Sequence, residues 1–205
     1  MPNRSSDQLT IVVQAGGESH RMGQDKALAP FLGQPLIQRV VQRLASIGAE
    51  VVVTTNHPES LEFLGLRLVG DLWPERSNLG GLYTALIAAR SPLVAVVACD
   101  MPFASPELLA AEAEMLEANP CDVVIPQGAR GFEPLHAVYR REACLPAVRA
   151  ALIAQKLRMD SWFPAVRVKA LRPEVLRAYD PQGITFLNIN TPDDLRRAEG
   201  LAREG

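Results

Sequence analysis

Directly after the apolar run Leu9 to Val13 the chain reads Gln14-Ala15-Gly16-Gly17-Glu18-Ser19-His20-Arg21-Met22-Gly23-Gln24-Asp25-Lys26, and no other stretch constrains the fold as strongly. A strand that gives way at once to glycines and cations belongs to a sheet whose strand ends hold a ligand. Glycine reaches backbone angles that turn amide N–H groups toward phosphate oxygens, and Arg21 and Lys26 bring positive charge to the same place. Gly16, Gly17 and Gly23 exceed what one tight turn requires, whereas a phosphate cradle accounts for all of them together. A Walker loop needs Gly-Lys-Ser/Thr, but here Gly23 is followed by Gln24, Asp25 and Lys26, and the G-x-G-x-x-G dinucleotide spacing also fails. The loop points to a nucleotide held in another way.

Short apolar runs alternate with longer segments of helical period. This is the pattern of an α/β fold in three layers, a mainly parallel twisted sheet with helices on both faces. Strands are expected at Leu9 to Val13, Glu50 to Thr54, Leu66 to Val69, Leu93 to Cys99, Asp122 to Pro126 and Val166 to Leu171. Pro35 to Ile47 places Leu36, Val40, Leu44 and Ile47 on one helical stripe, with Pro35 in its first turn and Gly48 ending it. Ser105-Pro106-Glu107 and Thr191-Pro192-Asp193-Asp194 read as helix starts. Gln127 to Tyr139, with Gly128, Gly131 and Pro134, reads as a turn-rich excursion from the sheet that would contact a second substrate.

At 205 residues with 48% hydrophobic content, the chain suits a single domain spanning residues 1–205, without internal repeats or a linker. A formal net charge of -2 argues against a surface that coats nucleic acid. The polar start and short apolar runs indicate neither a signal peptide nor a membrane span. Cys99, Cys121 and Cys144 are an odd number without C-x-x-C spacing, which suits a reducing, cytoplasmic setting.

Ligands of an open parallel sheet bind outside the carboxyl ends of the strands. The glycine loop, Asn56, Asp71 and Asp100 each follow a strand, so chain order gathers them at one edge. Asp100, after Leu-Val-Ala-Val-Val-Ala-Cys, is placed to offer oxygen to a hard cation, assigned as Mg²⁺; the plainer reading is a turn before Met101-Pro102. Arg21 and Lys26 would otherwise be solvated surface cations. Asn56 and Asp71 also fit ordinary turns before Pro58 and Trp73-Pro74. Asn190 either offers an amide oxygen to the metal or only introduces the last helix, the latter slightly favoured. His20, His57 and His136 lack ligand spacing, and Cys99 suits a small buried hydrophobe better than a nucleophile.

The segment Ala15-Gly16-Gly17-x-Ser19-x-Arg21-Met22-Gly23-x-Asp25-Lys26 resembles the signature of the nucleotidyltransferases that include the molybdenum cofactor guanylyltransferases. Phe31 to Leu36 is similar to the family's link into the first helix, and Cys99-Asp100-Met101-Pro102-Phe103 to its metal-binding strand end. Glu133 to Arg141 and Leu187 to Leu195 resemble segments of the molybdenum cofactor branch. The resemblance implies a Rossmann-like nucleotidyltransferase fold and transfer of GMP from GTP to the terminal phosphate of molybdopterin or molybdenum cofactor, with Mg²⁺. It implies nucleotide contacts from Gln14, Ala15, Gly16, Gly17, Lys26, Asn56, Asp71 and Asp100. Arg21, Lys26 and Asp100 would be catalytic, with Arg21 facing the leaving phosphates. Other cofactor biosynthesis proteins and acceptor enzymes would be partners.

Two positions depart from the pattern: Gln14 replaces an aliphatic residue and Ser77-Asn78 replaces Gly-Pro. The first bears on base contacts, the second on the shape of a loop. A cytidylyltransferase for molybdenum cofactor, a sugar-phosphate nucleotidyltransferase and a non-catalytic nucleotide-binding partner are the competing readings.

Overall fold

The computed structural model describes residues 8–16, 25–73, 77–128 and 131–204. In chain order it contains β1 (Leu9–Gln14), a small ribbon of β2 (Pro30–Phe31) and β3 (Gln34–Pro35), α1 (Leu36–Leu44), β4 (Glu50–Thr54), β5 (Arg67–Val69) and α2 (Asn78–Ala88). There follow β6 (Leu93–Ala98), α3 (Pro106–Ala118), β7 (Val123–Gly128), β8 (Gly131–Phe132), β9 (His136–Arg140), α4 (Arg141–Ile153), β10 (Val168–Leu171), α5 (Pro173–Leu176) and α6 (Pro192–Glu204). Among the described residues no helix is long and apolar enough to cross a membrane.

The main sheet has the order β10-β7-β9-β6-β1-β4-β5, with β8 paired to β7. Pairs β4–β5, β1–β4, β1–β6 and β7–β10 are parallel, and β9 runs antiparallel to both β6 and β7. The mainly parallel sheet is therefore the expected one, with an antiparallel strand inserted near its middle. Both faces of the central strands are buried, and alternate residues serve opposite cores. Ile11, Val13, Ala95 and Val97 face the side covered by α1 and α3, with Val40, Leu44, Leu109 and Leu116. Val12, Val94 and Val96 face the side of α2 and α4, with Leu82, Leu86, Val148 and Leu152. This two-sided burial explains why the strand segments read as continuous apolar runs rather than as alternations.

Several expectations need correction. Gln127 to Tyr139 is not simply an excursion: only its middle turns away, while His136 to Tyr139 re-enter the sheet between β6 and β7. The strand was hidden because its first residue is a histidine, buried through a partner distant in sequence. The helix expected over Pro35 to Ile47 spans Leu36–Leu44, and Pro35 is its cap residue at the end of β3. Gly48 does not cap it. A Cβ at Gly48 would lie 2.8 Å from Ile11 Cγ1 and 3.0 Å from the Leu9 carbonyl oxygen, so glycine there serves close approach to β1. The helices α2 and α4 were not anticipated; α2 carries Gly80 and Gly81 in its first turn and α4 contains Pro146, both poor helix formers.

The expected helix start at Ser105 is present: Leu108 N–H donates to Ser105 Oγ at 3.1 Å. Beneath that helix, Glu112 of α3 and His136 of β9 are fully buried, with Glu112 Oε1 4.0 Å from His136 Nδ1. Ser105 N–H donates to His136 Nε2 at 3.1 Å, so that nitrogen carries no proton and the imidazole is neutral. Burial pushes the Glu112 carboxyl well above its ordinary value of 4.5 and the His136 imidazole from 6.5 down to about 4. The native pair thus keeps one proton, on the carboxyl.

Unfolded, the two groups carry one proton between pH 4.5 and 6.5, the ordinary values of each, and none above that range. Their joint effect on stability is therefore flat across this window. Above it, stability falls as pH rises, because the native state retains a proton that the unfolded chain releases. Glu112→Gln removes the retained proton, so the variant should gain on the wild type by up to about 1.4 kcal/mol per pH unit above pH 5. Urea unfolding at pH 5 and pH 7.5 measures this, and an unchanged difference between the two proteins would contradict the assignment.

Candidate functional site

The strand order reverses direction at β1, whose neighbours are β4 on one side and β6 on the other. Backbone bonds carry the pairing just past the strand ends: Ala15 N–H donates to the Thr54 carbonyl at 2.8 Å and Cys99 N–H to the Gln14 carbonyl at 2.9 Å. The residues that follow β1 and β6 consequently open into one cleft of about 430 Å³. Gln14, Ala15, Gly16, Lys26, Asp71 and Asp100 line it, all of them anticipated from the sequence. Gly17 and Arg21 lie outside the described residues.

At one end of the cleft, Lys26 Nζ donates to Asp100 Oδ2 at 3.0 Å and to Asn190 Oδ1 at 2.6 Å. Three distant segments meet at this ammonium group. Asp25 helps to place it, accepting a hydrogen bond from Ala27 N–H at 3.0 Å and so capping the short turn Lys26–Leu28. Ile189 N–H donates to the Asp100 carbonyl at 3.0 Å, which fixes the Asn190 segment against the end of β6. Asn190 does introduce the last helix, but it does not do only that. Its amide side chain faces Lys26, while its backbone N–H joins the start of α6 by donating to Asp194 Oδ2 at 3.0 Å. Thr191 and Asp194 complete a reciprocal cap there, with Thr191 N–H donating to Asp194 Oδ2 at 2.8 Å and Asp194 N–H to Thr191 Oγ1 at 3.1 Å.

The opposite wall is polar as well. Asn56 Nδ2 donates to Asp71 Oδ2 at 2.8 Å, and Asp71 N–H donates back to Asn56 Oδ1 at 3.2 Å. Asn56 itself is not among the lining residues; it holds Asp71, which is. A Cβ on Gly16 would approach Asp71 Oδ2 to 3.3 Å, so the bare backbone leaves room for that carboxylate. The Gln14 carboxamide lies against Gly81 of α2, and its Nε2 is buried without a partner among the described residues.

Ser77 caps α2, accepting from Gly80 N–H at 3.0 Å, and Ser77 and Asn78 both line the cleft. This departure from Gly-Pro thus forms a helix start facing the site. Sequence reasoning assigned no site role to Asp25, Gly81, Leu135 or Asn188, which also line it. For Asp25 and Ser77 the signal was their capping pattern; for Leu135 and Asn188 it was their place in the two family-like segments, although only the tertiary fold brings them to the cleft.

Asp100 Oδ1 is buried and has no hydrogen-bond partner among the described residues. An unpaired buried carboxylate oxygen is costly, and it fits the need of a hard cation for oxygen ligands. No group of three or more His, Cys, Asp or Glu side chains suited to a metal occurs among the described residues. The Asp100 carboxylate by itself fits Mg²⁺, which commonly uses one or two carboxylates together with substrate phosphates and water. Cys99 is no nucleophile: burial, followed by the neighbouring Asp100 and Asp25 charges, pushes its thiol far above the ordinary range.

The model of the MobA-like NTP transferase domain matches residues 11–168. A probable molybdenum cofactor guanylyltransferase of Pelotomaculum thermopropionicum is 40% identical over 195 residues, covering 95% of this chain and 94% of its relative. A molybdenum cofactor guanylyltransferase of Desulfosudis oleivorans is 33% identical over 202 residues, covering 97% and 98%. Among solved structures, molybdopterin-guanine dinucleotide biosynthesis protein A of Archaeoglobus fulgidus superimposes with a TM-score of 0.83 at 28% identity, covering 96% of this chain and 100% of that one. With this sheet, the strand-end cleft and similarity along nearly its whole length, the chain belongs to the MobA-like nucleotidyltransferase family.

Proposed function

We propose that this chain transfers GMP from GTP to the terminal phosphate of molybdopterin or molybdenum cofactor, forming the guanine dinucleotide and releasing pyrophosphate. The observation that carries the reading is the Lys26 ammonium bridging Asp100 and Asn190 beside the unpaired Asp100 Oδ1. The guanylyltransferase names of the relatives support the choice of substrates.

A phosphate oxygen of the acceptor attacks the α-phosphorus of GTP, and the bond to the bridging oxygen of the pyrophosphate breaks with its electron pair. A phosphate monoester has its second pKa near ~6, so the nucleophile is already largely ionised at neutral pH. The reaction therefore needs no histidine base. The chain must align two mutually repelling anions and stabilise the charge that builds on the leaving group. Lys26 supplies a cation at the end of the cleft, and the glycine loop supplies backbone donors. Asp71, held by Asn56, and Gln14 bind the nucleoside end. Asp100 and Asn190 would hold Mg²⁺, which when bound supplies positive charge to the phosphates.

Pyrophosphate release with molybdopterin and Mg²⁺, comparing GTP, CTP and ATP, tests the assignment. Molybdopterin-dependent release with GTP is expected; preference for CTP would contradict the guanylyl assignment, and nucleotide binding without release would contradict turnover itself. Lys26→Ala and Asp100→Ala should each lower kcat by about 100-fold or more while circular dichroism shows a retained fold. Near-wild-type turnover would remove that residue from the mechanism. Asn56→Asp places a second carboxylate against Asp71 and should weaken GTP binding roughly tenfold in calorimetry, about 1.4 kcal/mol.

A further inference from the structure

His136 has no counterpart in the mechanism above, yet its buried ring touches both segments that deliver the site's oxygen ligands. Its Nε2 accepts the Ser105 N–H at 3.1 Å, at the end of the loop that begins with Asp100. Its ring meets Phe186 edge to face, with centroids 5.3 Å apart and planes at 88°. Phe186 lies four positions before Asn190, and Ile189 between them is bonded to the Asp100 carbonyl at 3.0 Å. On the strand side, His136 pairs in register with Val97, and the preceding Leu135 carbonyl accepts the Ala98 N–H at 3.0 Å. One imidazole therefore joins β9, the end of β6, the Asp100 loop and the Asn190 segment.

We propose that His136 is a positioning residue that holds the Asp100 loop and the Asn190 segment in the mutual register required to receive a nucleotide-bound divalent cation. The inference rests on the nucleotidyltransferase reading for its ligand, but the clamp itself rests on contacts within this chain. The buried Ser105 N–H at the helix start has its acceptor on His136, while Ser105 Oγ accepts from Leu108 N–H. Replacing the acceptor by an apolar group leaves that buried N–H unpaired and releases the loop end. From the outer side Arg43 Nε donates to the Ala104 carbonyl at 3.1 Å and Arg39 Nε to the Pro102 carbonyl at 3.4 Å, and Phe103 packs with Phe31 and Ile189. The two arginine bonds do not reach the Asn190 segment. His136 adds a further tie between the two segments, beside the Ile189–Asp100 backbone bond, the Lys26 bridge and the Phe103–Ile189 packing, much as outer hydrogen bonds orient the ligands of a metal site.

The test compares His136→Leu with His136→Gln, whose Oε1 can accept the Ser105 N–H. Two quantities are read: amide hydrogen exchange of residues 99–105 and 186–190, and Mn²⁺ affinity in the presence of GTP by electron paramagnetic resonance. His136→Leu should accelerate exchange in both segments by about tenfold and weaken Mn²⁺ by a similar factor. Metal-free GTP affinity should stay within about twofold, because Asp71 is held by Asn56 on the opposite wall of the cleft. His136→Gln should restore most of both effects. Unchanged exchange, or Gln failing to rescue while GTP affinity and thermal stability fall together, would overturn the positioning role. If His136→Leu does not fold, Phe186→Leu tests the second contact, and is expected to deprotect residues 99–105 and weaken Mn²⁺ several-fold; no change in either overturns the proposal. If wild-type protein binds no Mn²⁺ with GTP, the metal part of the proposed function fails, and the exchange data still decide the clamp.

Discussion

β1 and β6 run parallel and in register from the Leu9–Leu93 pair to the Gln14–Ala98 pair, and the position of every candidate ligand depends on their ending level. The bond from Cys99 N–H to the Gln14 carbonyl extends that pairing one step beyond the strands. The chain then leaves both strands in the same place, as the glycine loop from one and as the Asp100 loop from the other. Because β4 pairs on the far side of β1, Asn56 and Asp71 follow to the same edge. The core that fixes this arrangement is apolar on both faces, so sliding β6 by one residue would exchange the two buried surfaces.

Beyond the strand ends, polar contacts take over from packing. Lys26 reaches Asp100 and Asn190, and the latter lies 164 positions away in sequence. The region is closed by a separate apolar cluster of Phe31, Leu36, Phe103, Ile189 and Ala198, which brings α6 against the β2–β3 ribbon and the Asp100 loop. Glu199 of α6 also accepts the Leu32 N–H at 2.8 Å. The C-terminal helix thus does more than cover the surface: it helps to carry Asn190 to the cleft. The electrostatic consequence is a cation set against one carboxylate whose second oxygen has no partner among the described residues, a local arrangement suited to a charged ligand rather than to a neutral one.

The parts of the fold that show in the sequence are those where local pattern and tertiary environment agree. β4 spans Glu50 to Thr54 as expected, and the buried run of β6 begins at Leu93 as expected, since each carries its own apolar signal. Lys26, Asp71 and Asp100 were legible for a related reason: their residue types and strand-end positions carry chemical meaning before any contact is known. His136, Leu135 and Asn188 carry no such signal. β9 starts with a histidine whose burial depends on Ser105 and Phe186, and α2 starts at Ser77 despite two glycines in its first turn. The role of Asn190 was ambiguous between a metal ligand and a helix start; its backbone joins the helix start, and its side chain accepts from Lys26, a partner distant in sequence.

The proposed reaction requires a nucleotide whose phosphates lie between the glycine loop and Asp100. A crystal structure with GTP and Mn²⁺, phased to show the anomalous signal of the metal, measures this directly. A manganese peak against the Asp100 carboxylate, with the phosphate chain passing Gly16 and Lys26 and the nucleoside toward Gln14 and Asp71, is the predicted result. A GTP molecule bound in this cleft with its metal away from Asp100, or bound outside the cleft altogether, would contradict it.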